Sequence, residues 1–160
     1  MAKYSASDIA KWFIWKYKNC VENSGAGEKL TLLKLLKLLY YAEGSSLALN
    51  NKSLFDDKIM AWDHGPVIKK VYDEYKKNPY ELPLSNSDIR IAAQINADEK
   101  VQNILEQVFD VFGGYSAWGL RNMTHQEKPW LEATTNGAGL KKEISKNTMK
   151  EFFKSKYVQD

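Results

Sequence analysis

Thr31-Leu32-Leu33-Lys34-Leu35-Leu36-Lys37-Leu38-Leu39-Tyr40-Tyr41-Ala42-Glu43-Gly44 is the stretch that decides the fold. Thr31 is placed to cap a helix. The run after it is apolar nearly all round, with Lys34 and Lys37 as a narrow polar stripe. Such a helix has to be covered on most sides, so it belongs at the centre of a domain. A membrane-surface helix needs a wide charged face, which this one lacks.

Working outward, Ile9, Trp12, Phe13, Lys16, Tyr17, Cys20 and Val21 recur at three- and four-residue steps. They predict a helix over 7–22 that starts after Ser7, carries Asp8 in its first turn and ends at Ser24-Gly25-Ala26-Gly27. On the other side, Ile59-Met60-Ala61-Trp62 reads as a short strand between acidic and turn-forming residues. Pro66 then suits the first turn of a helix carrying Val67, Ile68, Val71, Tyr72 and Tyr75, which Asn78-Pro79 stops. Ile89, Ile91, Ala93 and Ile95 alternate with Arg90, Ala92, Gln94 and Asn96, which favours a strand, a connecting loop being the competing reading. Asn96 with Glu99 is a capping-type start for a helix that Gly113-Gly114 ends. Ser116 caps a short helix, Pro129-Trp130-Leu131 opens another, and Ser145 caps a last one with Met149, Phe152 and Phe153 inward. The expected fold is mainly α: a compact helical bundle around a central apolar helix, with a small β element, over residues 1–160 as a single domain.

Composition agrees. The chain has 160 residues, 44% hydrophobic and 27% charged, the balance of one soluble globular domain rather than a disordered chain. One cysteine, Cys20, excludes an internal disulfide and any multi-thiolate zinc site. No apolar run is long enough to span a bilayer, and the N-terminus lacks a signal-peptide cleavage pattern, so a cytoplasmic location is expected. The net charge of +3 is split as +4 over residues 1–80, −4 over 81–140 and +3 over 141–160. That is not the concentrated basic field of a nucleic-acid binder. Only Arg90 and Arg121 supply guanidinium groups, which argues against specific base readout.

Little chemistry is visible. His64 and His125 are the candidates for acid–base work, with Asp63, Asp56 or Glu127 as conceivable partners. Hydrogen-bonding the backbone to fix a turn is the simpler role for both. No metal-ligand spacing surrounds them, Asp56-Asp57…Asp63 lacks the glycine and glutamate of a calcium loop, and the glycine pairs follow no phosphate-loop pattern. Cys20 lies on the apolar stripe, where a small buried hydrophobe is the ordinary role. No catalytic residue, cofactor or metal is therefore assigned. Of five tryptophans most should be core, while Trp15 lies off the stripe of its helix and is a candidate interface anchor.

Three ordered motifs go further. The Thr31–Gly44 helix, with Lys34, Lys37 and Tyr40, resembles the leucine- and lysine-rich helix of the Panacea domain, the family of SocA-like antitoxins. Ala61-Trp62-x-His64-Gly65-Pro66-Val67 is similar to that family's Ala-Trp-x-x-Gly-Pro-Val segment. Thr124-His125-x-Glu127-x-Pro129-Trp130 is similar to its Thr-His-x-Glu-x-Pro-Trp segment, and Ile144-Ser145 and Phe152-Phe153 fit its tail. The resemblance covers about residues 31–153, with the N-terminal helix packed on it. It implies an antitoxin of a toxin–antitoxin module that neutralises a protein toxin encoded by an adjacent gene through direct binding. SocA-type members act instead as proteolytic adaptors that deliver the toxin to a bacterial protease, and related sequences occur in prophages and mobile elements. A transcriptional autoregulator and a histidine enzyme are further readings. The motif residues serve structure or partner binding. The toxin-binding surface is expected at Trp15, Lys16 and Lys18, with the acidic helix of residues 98–110 as the alternative.

Overall fold

A computed structural model describes residues 1–22, 25, 27–139 and 142–158. The helix read from Thr31 is α2, Leu32–Asn50, and Thr31 Oγ1 accepts from the Lys34 N–H at its start. Leu35, Leu36, Leu38, Leu39, Tyr40, Tyr41 and Ala42 are all buried, as an all-round apolar helix requires. Asn51 ends it in the left-handed region at φ 55°, a conformation asparagine tolerates better than most. Seven further α-helices and one two-stranded sheet complete the fold among the described residues. The expectation of a mainly helical bundle with a small β element is met.

The first helix, α1, is Ala6–Tyr17 and continues as a π-helical turn, Lys18–Glu22. Its cap is Ser5 rather than Ser7: Ser5 Oγ accepts from the Asp8 N–H and the Asp8 carboxylate accepts from the Ser5 N–H. That reciprocal pair satisfies two orphan donors at once, while the Ser7 hydroxyl donates to Glu74. Cys20 is exposed, not buried. The π turn adds a residue per turn and carries Cys20 off the inward stripe. Of the glycine-rich segment that follows, Ser24 and Ala26 lie outside the described residues.

Strand β1, Met60–Trp62, pairs antiparallel with β2, Gly65–Val67, across the two-residue turn Asp63-His64. Pro66 therefore sits in a strand opposite Ala61, not in a helix. Strand β2 is the outer strand of this pair, and an edge is where proline is tolerated. The next helix, α3, starts only at Lys69 (Lys69–Tyr75). On its other edge β1 meets the segment before α8, through Ala61 N–H to Lys142 O at 2.9 Å and Ile144 N–H to Ile59 O at 2.7 Å.

The alternating isoleucines form a helix, α4, Asn86–Asn96. A Ser85–Asp88 capping box starts it, and Ala92 and Ile95 face inward three residues apart while Ile89 stays exposed. Tertiary packing overrides the period-two pattern here: α4 lies against α1, where Trp12 Nε1 donates to Asn96 Oδ1 at 2.7 Å. With Asn96 so engaged, the cap of α5, Glu99–Phe112, is Asp98. The remaining helices are α6, Ala117–Thr124, α7, Lys128–Ala133, and α8, Lys146–Lys156, capped or opened at Ser116, Pro129 and Ser145 as expected. Helix α8 crosses α2 at Gly44, where an added Cβ would collide with the Phe153 ring.

Candidate functional site

The family-motif residues from three separate stretches meet on one side of α2. His125, at the end of α6, places Nδ1 2.7 Å from Arg121 O and Nε2 2.6 Å from Asp63 O in the hairpin turn. The imidazole also lies on the Trp130 ring, 3.9 Å between centroids, and Trp130 Nε1 donates to Trp62 O at 2.9 Å. His125 and Trp130 thus clamp the hairpin to the α6–α7 corner. Pro129 stands in the first turn of α7, where its missing N–H leaves no helical bond unmade.

Glu127 serves the other side of that corner. It is buried, and its two carboxylate oxygens accept from Tyr40 at 2.9 Å, Tyr41 at 3.2 Å and Tyr157 at 2.5 Å. Burial raises the Glu127 pKa above the ordinary carboxylate value, against the lowering effect of the three hydroxyls. It also drives the Tyr40, Tyr41 and Tyr157 pKa values well above the ordinary phenol value. No proton leaves these phenols in the physiological range. The cluster joins α2, α7 and α8. Sequence reasoning singled out Glu127 and Tyr40 but missed Tyr41 and Tyr157, because nothing in the spacing links residues more than eighty or thirty positions away.

Lys37 differs from all of these. Its side chain is fully enclosed, 0% exposed, yet Nζ has no hydrogen-bond partner among the described residues. Burial and the like charge of Arg121 push its pKa down to about 7. Gly65, at φ +113°, makes room for it: a Cβ there would stand 2.8 Å from Lys37 Cε and 3.0 Å from Thr124 Oγ1. Arg121 Nε is likewise buried without a partner. Above Lys37 opens a groove of about 350 Å³ between α2 and the hairpin, walled by Leu32, Leu36, Trp62, Val67, Tyr72 and Tyr80, with His64 at its rim. Lys34, one turn earlier, is accounted for: its Nζ donates to Gly113 O at 2.7 Å, capping the last turn of α5 beside the Tyr17 ring.

A scan against family models matches residues 35–131 to the SocA-like antitoxin family, Panacea domain. The chain belongs to that family. The match runs from the second turn of α2 to α7, so it contains the hairpin, the His125–Trp130 clamp and Lys37 in one continuous Panacea segment. Comparisons with curated proteins and with solved structures find no match. Among the described residues no helix is long and apolar enough to cross a membrane, and no cluster of side chains could hold a metal ion.

Outside the matched segment, the three residues read as a contact surface lie on α1 and its π turn. Trp15 is half-buried, 6.1 Å from the Trp12 ring centroid. Lys16 is paired with Glu106 at 2.7 Å and lies over Trp12 and Phe109. Lys18 reaches Glu22 at 3.9 Å. The tryptophans divide unevenly, with Trp12 and Trp130 buried and Trp118 exposed under the Arg121 guanidinium.

Proposed function

We propose that this chain is the antitoxin of a toxin–antitoxin module, acting in the cytoplasm as one domain over residues 1–160. It neutralises a protein toxin encoded by an adjacent gene by direct binding. The observation that carries this reading is membership of the SocA-like antitoxin family over 97 of its residues. The geometry supports it. His125 and Glu127, two of the motif residues that could serve acid–base chemistry, are each engaged in holding elements together, as is Trp130. What remains at the surface suits binding: an apolar groove beside α2, and the α1 patch of Trp15, Lys16 and Lys18, where steering charge adjoins a partly accessible ring.

Growth rescue tests the proposal. The neighbouring gene is induced alone and together with this one; neutralisation predicts arrest in the first case and growth in the second. Arrest in both, with this protein soluble, would overturn it. Delivery to a protease is the second reading, favoured by the exposed Lys154 and Lys156 at the end of α8, a basic surface suited to recruiting an acidic partner.

A further inference from the structure

Four polar motif side chains near the corner have their polar atoms matched within the fold, whereas Lys37 Nζ has no partner among the described residues. Lys34 donates to a helix-end carbonyl, Trp130 to a hairpin carbonyl, His125 contacts two carbonyls and Glu127 accepts from three hydroxyls. Lys37 Nζ is enclosed without an acceptor, and the charge that bears on it, Arg121, has its own sign. An unmatched buried donor costs folding free energy that a leucine or methionine at the same position would avoid. The fold nonetheless accommodates it, with a glycine at positive φ whose missing Cβ leaves the space for the lysine stem.

The groove above the amine has the complementary character. Its walls are apolar side chains from α2, the hairpin and α3, and Tyr80, 76% exposed, stands at its edge. An apolar wall over a single unmatched cation is the mould of an apolar surface carrying a single anion. Nζ has no exposed area in the free chain, so an anion reaches it from the groove that Lys37 lines on a stem, as a side chain delivers it, with the groove side chains over the amine moving aside as it enters. We infer that this groove is where the toxin docks, through an apolar segment bearing one acidic side chain whose carboxylate pairs with Lys37 Nζ. The inference rests on the antitoxin reading and gives it a binding chemistry. Pairing supplies the acceptor that Lys37 lacks, and the apolar flanks exclude water from the pair.

The test uses the full chain and the neighbour-encoded toxin, inactivated by mutation so that it can be purified. Titration calorimetry compares wild type with Lys37→Met, which keeps the stem and removes the amine, and with Tyr80→Ser, which trims the groove edge outside the core. Circular dichroism checks that each variant folds. The expected result is a loss of affinity on the order of a hundredfold for Lys37→Met, in the range of a truncated buried charge pair, and a smaller loss for Tyr80→Ser. Zero-length carbodiimide coupling should join Lys37 to one Asp or Glu of the toxin lying among apolar residues. Lys37→Met binding within twofold of wild type, or cross-links that place the toxin away from the groove, would overturn the inference and leave the antitoxin reading standing. Failure of the wild type itself to bind would overturn both. A wild-type dimer that Lys37→Met dissociates would assign the groove to a second copy of this chain and overturn the toxin as its occupant.

Discussion

Replacing Lys37 with methionine should stabilise the free protein, and by an amount that depends on pH in a defined direction. The amine titrates at about 7 in the folded chain against an ordinary lysine value of 10.5. Between those two values the unfolded chain holds a proton that the folded chain has lost, so wild-type stability rises with pH across that window. Below pH 7 both states are charged and the full penalty of burying the ammonium stands. At 1.36 kcal/mol per pH unit the penalty is on the order of 5 kcal/mol at pH 6, and most of it is gone by pH 10. Methionine has no such penalty and fills about the same volume, so urea unfolding followed by far-UV circular dichroism should show Lys37→Met more stable by about 5 kcal/mol at pH 6. At pH 10 the two proteins should lie within about 1 kcal/mol of each other. Because wild type and variant share every other titrating group, the buried tyrosines included, those contributions cancel in the difference. A variant equal to or less stable than wild type at pH 6, or a gap that stays constant with pH, would show that Lys37 has a partner in the free protein.

Four further substitutions test the polar and backbone contacts that hold the fold together. Glu127→Ala leaves the Tyr40, Tyr41 and Tyr157 hydroxyls without their acceptor and should cost about 3–5 kcal/mol in urea unfolding, as loss of a buried charged acceptor does. Since burial raises the Glu127 pKa, the folded chain holds that proton more tightly than the unfolded one. Wild type should therefore gain stability through this group as pH falls toward the ordinary carboxylate value, and Glu127→Gln should remove that gain. Lys146→Met strips the ammonium 2.6 Å from the fully buried Glu43 carboxylate and should lower stability by about 3–5 kcal/mol by the same assay. Gly65→Ala combines positive φ with overlap on Lys37 Cε and should cost about 1–3 kcal/mol in thermal melts. In a Lys37→Ala background the overlap on the lysine disappears while the Thr124 contact and the backbone share remain, a coupling that a double-mutant cycle resolves.

The central helix was fully legible in the sequence, because a leucine run interrupted at only two positions admits one burial pattern, and the caps at Thr31, Ser116 and Ser145 follow from local chemistry. The errors came where two local patterns competed. Ile89 to Ile95 alternates like a strand, but the Ser85–Asp88 capping box and the face offered to α1 decided for a helix. Pro66 was compatible with a helix start or an edge strand, and the pairing of β1 with β2 settled the matter beyond the reach of local sequence. At the site, the motifs named the right residues without revealing what each does. That His125 reaches Asp63, or that Glu127 gathers tyrosines from two helices, depends on contacts between residues 30 to 87 positions apart. Lys37 reads in the sequence as half of a narrow polar stripe; only the path of the hairpin over it shows a buried amine without an acceptor among the described residues.

The amount of toxin in rescued cells tests the central claim most directly. With both genes induced and growth restored, neutralisation by binding predicts that the toxin persists at the level seen without this protein and co-purifies with it in fixed stoichiometry. Restored growth with the toxin lost, and its level recovering when proteases are disabled, would contradict sequestration and establish delivery for degradation.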